Sequence, residues 1–146
     1  MQASNVGALD VTSFARIWSP RLLRFYYLLC ANQRFAESFT IETLVEIAKA
    51  DRWKTPWAVA RLGLAKATSI TVSSATEDDR VACVVASMPR KQGCVIALVR
   101  GMGLSVAEVA EVTRVSISEA RRVLAEALLE LHRSLRTDSL NPKGTL

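Results

Sequence analysis

Two serines, Ser105 and Ser116, each stand three residues before a glutamate in the stretch GLSVAEVAEVTRVSISEARRVL, residues 103–124. Ser-x-x-Glu ahead of an apolar run is a capping box. The hydroxyl accepts from the third helical amide, and the glutamate side chain reaches back to the amide of the serine. Each serine cap is worth about 1 kcal/mol. Boxes at Ser105–Glu108 and Ser116–Glu119 leave room for a helix of about eight residues, a turn at Thr113-Arg114-Val115, and a longer helix to about Leu135. Ala107, Val109, Ala110 and Val112 form the inward side of the first helix. Ile117, Ala120, Leu124, Ala127, Leu128 and Leu131 recur at helical spacing along the second. A DNA-reading helix-turn-helix has this pattern, and so does an ordinary antiparallel helical hairpin.

The rest of the chain carries the same periodicity. Period-two alternation is rare and glycine sparse, so the expected fold class is all-α. Residues 11–31 set Phe14, Ile17, Trp18, Leu22, Phe25, Tyr26 and Leu29 on one stripe, and Ser19-Pro20 predicts a kink or restart there. A second helix is expected over Ala36–Ala50, with Phe39, Leu44, Ile47 and Ala48 inward. A third should start at Thr55-Pro56, Thr as cap and Pro as first helical residue, and run to Ala67. The small, polar stretch TSITVSSATEDD reads as a linker. Beyond it, a helix over Asp78–Ala86 has Asp78 and Asp79 at the positive end of its dipole. Another runs over Pro89–Arg100 and stops at Gly101-Met102-Gly103. This organisation is two small helical modules, 10–67 and 78–137, joined by a linker at 68–77.

Half of the 146 residues are apolar, enough for a core without disulfides or metals. The net charge of +5 permits a polyanionic partner. Residues 1–76 hold nine Lys/Arg against five Asp/Glu, whereas 77–146 hold ten against nine. The half with the paired capping boxes is therefore nearly neutral, which counts against strong DNA binding on its own. Cys30, Cys83 and Cys94 are scattered and form no C-x-x-C pair, so reduced, buried thiols are expected rather than a metal or disulfide framework. No charged-then-apolar leader opens the chain and no apolar run of about 18 residues occurs, pointing to a cytoplasmic protein without membrane contact. His132 has no partner nearby in sequence, and Trp18, Trp53 and Trp57 read as core. Gly101-x-Gly103 lacks a third glycine and a preceding strand, so it is no dinucleotide loop. Without a nucleophile, base and orienting group, neither an enzyme nor a cofactor is expected.

The stretch MPRKQGCVIALVRGMGLSVAEVAEVTRVSISEARRVLAEALLELHRSL resembles region four of bacterial sigma factors, especially the extracytoplasmic-function group. The likeness lies in Pro-x-x-Gln, then Gly-Leu-Ser-x-x-Glu-Val-Ala-Glu, then Ile/Val-Ser, then a basic helix, across roughly residues 80–135. SPRLLRFYYLLCANQRFAESFTIETLVEI is similar to region two of the same factors, with Ala36, Glu37, Glu42, Thr43 and Leu44 on its core motif. TPWAVARLGLAKA loosely resembles the following helix. The resemblance implies core RNA polymerase as a partner, engaged through Glu37, Glu42, Thr43 and Glu46. It also implies promoter DNA, contacted by Ser116, Ser118, Arg121, Arg122 and Arg133.

The departures have physical content. Ser38 and Ile41 replace polar residues of the polymerase-docking helix, and the Arg-Asn run after the Trp helix is absent. Arg114 stands where a turn glycine is usual, at a cost on the order of 1 kcal/mol if its φ is positive. On the expected recognition helix, Arg122, Glu126, Leu129 and Arg133 face away from the apolar stripe, with Ser118 and Glu119 beside them and Arg121 at the boundary. Glu119 and Glu126 lie at i−3 and i+4 from Arg122 and are placed to pair with it. These features suit a second reading, a sigma mimic that binds an anti-sigma factor or polymerase without reading a promoter. A LuxR-type regulator shares the region-four skeleton but would need a different first domain.

Overall fold

The computed structural model describes the backbone of residues 2–49, 56–68 and 79–140, and the side chains of 12–49, 57–68 and 79–136. Regular structure among these residues is wholly helical. Its elements are α1 (Gln2–Cys30), α2 (Gln33–Lys49), α3 (Pro56–Ala67), α4 (Arg80–Ser87), α5 (Arg90–Ile96), a π-helical turn (Ala97–Gly101), α6 (Val106–Thr113) and α7 (Ile117–Leu140). The chain is all-α, as its periodicity implies. None of these helices is long and apolar enough to cross a membrane.

Of the kink or restart expected at Ser19-Pro20, the restart does not occur, and α1 runs through Pro20. An interior proline costs about 3 kcal/mol. Buried side chains on both sides of it, Phe14 before and Leu22, Phe25, Tyr26 and Leu29 after, hold the helix together. Ser19 Oγ donates to Ala15 O at 2.6 Å in the same turn. The helix ends where Ala31 takes a left-handed φ of 51° and its amide bonds back to Tyr27 O at 2.7 Å. Asn32 Oδ1 then accepts from the Phe35 amide at 3.1 Å, so α2 starts three residues before Ala36. Its buried line is Ala36, Thr40, Thr43 and Ile47, while Phe39 and Leu44 are half-buried and Ala48 is exposed. The expected Thr55 cap, Trp53, Asp78 and nearly all of the linker lie outside the described residues. Asp79 caps α4 rather than lying in its first turn, accepting from the Ala82 amide at 3.0 Å.

α1 is the central element and packs against α2, α3, α4, α5 and the π turn. It meets the π turn closely at Gly101, where a Cβ would stand 2.6 Å from Phe25 Cα and 2.7 Å from Phe25 N. Arg24 Nε donates to Gly101 O at 3.3 Å in the same crossing. Gly103 then turns the chain at φ +77°, and the Leu104 amide bonds back to Leu98 O at 3.1 Å. The core does not divide at 68–77. One apolar cluster takes Phe25, Tyr26 and Leu29 from before the linker and Leu98, Met102, Val109 and Val123 from after it. Trp18 and Trp57 pack against this cluster from its edge.

Candidate nucleic-acid interface

The α6–α7 corner is built by local bonds. Ser105 Oγ accepts from the Glu108 amide at 3.1 Å, and Glu108 Oε1 accepts from the Ser105 amide at 2.8 Å, completing the first capping box. Arg114 closes α6 in the left-handed region, φ 61° and ψ 43°, with its amide bonded to Ala110 O. Thus a bulky L residue holds the conformation that favours glycine. Val109, Ala110 and Val112 are buried as expected, but Ala107 is exposed. On α7 the buried line is Ala120, Val123 and Ala127, with Leu124, Leu128 and Leu131 half-buried. Ile117, expected inside, is 48% exposed, whereas Val123, outside the expected stripe, is buried.

The second box forms only in part. Ser116 Oγ accepts from the Glu119 amide at 3.0 Å. The Glu119 carboxylate does not return to Ser116; it accepts from Arg122 Nη2 at 2.6 Å and Nε at 3.2 Å. Lys91 Nζ, from α5, adds a contact of 3.4 Å. Arg122 Nη1 also donates to Glu126 at 2.7 Å, so two carboxylates hold one guanidinium. The Arg122 bonds, then the Lys91 bond, hold the Glu119 carboxyl below its usual range. Glu119 and then Glu126 push the Arg122 guanidinium up in return.

The expected DNA contacts therefore differ in availability. Ser116 Oγ accepts in the cap, and Ser118 is exposed in the first turn of α7. Arg121, expected at the boundary of the apolar face, is exposed and makes no ion pair among the described residues. Arg122 is exposed but held. Arg133 pairs with Glu130 at 2.9 Å and lies about 16 Å further along the helix axis than Arg122, so it does not join the cluster at the corner.

The residues expected to meet polymerase do not form one patch. Thr43 is completely buried, and its hydroxyl donates to Phe39 O at 2.7 Å. Since that bond uses its only proton, the Tyr26 hydroxyl is the donor in the Tyr26–Thr43 bond. Thr43 is a core residue, not a surface contact. Glu42 and Glu46 lean toward Lys66 of α3, at 3.9 and 3.1 Å, while Glu37 accepts from Gln33 at 3.1 Å on the other edge of α2. Between those edges Ile41 and Val45 are 61% and 45% exposed. This apolar pair and Lys91 are surface features that the sequence does not single out, and Ile17, expected on the inward stripe of α1, is 51% exposed. Ile41 and Val45 are spaced i,i+4 on the face opposite Ala36, Thr40 and Thr43, a signal open to inspection; the reach of Lys91 across 28 residues is not.

Comparison with known protein families, with curated proteins and with solved structures finds no match for this chain.

Proposed function

We propose that the chain is a sigma-like transcription factor of the bacterial cytoplasm, binding core RNA polymerase through the exposed face of α2 and promoter DNA through the start of α7. The observation that supports this reading is the exposed start of α7, where Ser118 and an Arg121 that makes no ion pair among the described residues follow a corner whose first capping box is complete. An arginine there is suited to guanine edges or phosphate in a major groove. The face of α2 with Ile41 and Val45 between acidic residues suits a protein partner, since paired exposed apolar side chains are where docking gains free energy.

One observation favours the second reading, a mimic that engages polymerase or an anti-sigma factor without reading DNA. Arg122 is held by two carboxylates of its own helix, which would also repel a phosphate backbone. Purified bacterial core polymerase, the full chain and pooled genomic fragments distinguish the two. Transcripts whose 5′ ends appear only with the chain are the expected result. Binding to core polymerase without any chain-dependent start site supports the mimic. No binding to core polymerase, with no such transcript, rejects the sigma reading.

A further inference from the structure

Between α3, α5 and the corner that opens α7 lies a cavity of about 250 Å³. Its walls are Leu64, Cys94, Val95, Val115, Ala120 and Val123, so the interior is apolar. Thr113 also lines it, but its hydroxyl proton is used on Val109 O at 2.7 Å. The charged groups in the wall are Lys91 and Glu119. Both Glu119 oxygens already accept from Arg122, at 2.6 and 3.2 Å. Lys91 is 67% exposed and makes one long contact of 3.4 Å among the described residues, which leaves its ammonium with donors to offer.

We propose that this cavity binds a small amphiphilic carboxylate, its apolar body within the walls and its head group on Lys91. Size and charge both select this class. An apolar cavity of about 150 Å³ holds a benzene ring, so this one has room for a ring with a short arm or a chain of about six to eight carbons. A neutral polar head would meet only Lys91 and the weakly donating thiol of Cys94. A cationic head would have to displace Arg122 from Glu119. A bound carboxylate joins α5 to the turn and to α7, and leaves Glu119 to Arg122 alone. The site stands independently of any DNA contact made by α7.

Thermal unfolding and titration calorimetry of the full chain with 3-phenylpropionate and octanoate test this, with the matching amides and phenethylamine as comparison ligands. The acids should raise the melting temperature and bind about three- to fivefold more tightly than the amides, the worth of one exposed ion pair. Lys91→Met should bring the acids down to the level of the amides. Val115→Phe and Leu64→Phe fill the cavity from different walls, and each should remove binding; if one fails to fold, the other decides. No heat or thermal shift with either acid overturns the proposal. So does equal binding of acid and amide, tighter binding of the amine, or binding untouched by a folded filling variant.

Discussion

Arg122 and Glu119 form a bidentate pair, with Nη2 2.6 Å from Oε2 and Nε 3.2 Å from Oε1. Glu126 holds the remaining side of the guanidinium at 2.7 Å, and Lys91 stands behind Glu119 at 3.4 Å. This quartet is electrically neutral. A phosphate would have to take Arg122 from two carboxylates, whereas Arg121 beside it is open. Because the quartet is exposed, its bonds are individually weak and screened by salt.

If the carboxylates restrain DNA binding, replacing both in the full chain by Glu119→Gln plus Glu126→Gln should tighten binding to a random-sequence duplex about five- to tenfold at low salt. The slope of log affinity against log salt should steepen by about one phosphate contact. Arg121→Ala should weaken binding in both backgrounds. Fluorescence anisotropy over a salt series reads each effect, and unchanged affinity in the double glutamine variant would show that the pair is no brake.

Sequence legibility followed the range of the interactions. The Ser105 box and the all-α class rest on bonds within a few residues and are readable, whereas the left-handed φ of Arg114 follows only as a condition of the resemblance. Glu119 left its own box for Lys91 and Arg122, and the Lys91 contact depends on α5 meeting α7. Pro20 signals a kink or restart because its local cost is visible in the sequence and the burial around it is not. The apolar run Leu22-Leu23-Arg24-Phe25-Tyr26-Tyr27-Leu28-Leu29 carried a clue that a single stripe misses: a helix apolar nearly all round is a central one. The burial of Thr43 is not legible in the sequence because its partner, Tyr26, lies on another helix.

Tyr26 offers a check of that buried bond through pH. Burial pushes its hydroxyl up to about 12 from 10.0. The folded state therefore keeps the proton where the unfolded chain has lost it. This contribution is intact below pH 10 and is lost as pH rises toward 12, at about 1.4 kcal/mol per unit. Urea denaturation at pH 9 to 11.5 should show that loss, and Tyr26→Phe should lack it while costing about 1 kcal/mol at neutral pH. Parallel slopes in the two proteins would refute the assignment.

Two left-handed residues should answer differently to glycine. Arg114→Gly removes the steric penalty at φ 61° from an exposed residue and should stabilise the chain by about 0.5–1 kcal/mol, after the entropy cost of glycine. Ala31, at φ 51°, is fully buried and packs with Ala82 and Ala86, so Ala31→Gly gives up methyl burial and should gain nothing. Melting temperatures of the two variants provide the comparison, and equal gains would mean that packing at Ala31 is inconsequential.

Gly101→Ala should be far more damaging than its single added methyl suggests. The new Cβ would meet Phe25 Cα and N at 2.6 and 2.7 Å, and backbone atoms cannot rotate out of the way. α1 would have to withdraw from the π turn, loosening Arg24 from Gly101 O as well. The expected loss is about 3 kcal/mol, at the upper end for overpacking. Gly103→Ala meets no atom within 4 Å and should cost only the positive-φ penalty of about 1–2 kcal/mol. Denaturant midpoints that rank the two the other way would place the close approach elsewhere.

The halves on either side of residues 68–77 should not fold apart. Cutting there separates Phe25, Tyr26 and Leu29 from Leu98 and Met102, which share one cluster and are each fully buried. Exposing each such side chain costs about 1.5–3 kcal/mol, and a domain has only about 5–15 kcal/mol to lose. Residues 1–76 and 77–146 made separately should therefore give weak helical circular dichroism and no cooperative melt. Mixed at equal concentration, they should regain helicity and melt cooperatively, with a midpoint that rises with concentration because association is then part of folding. A cooperative melt from residues 77–146 alone would mean that the shared cluster is not what holds α4 to α7 in place.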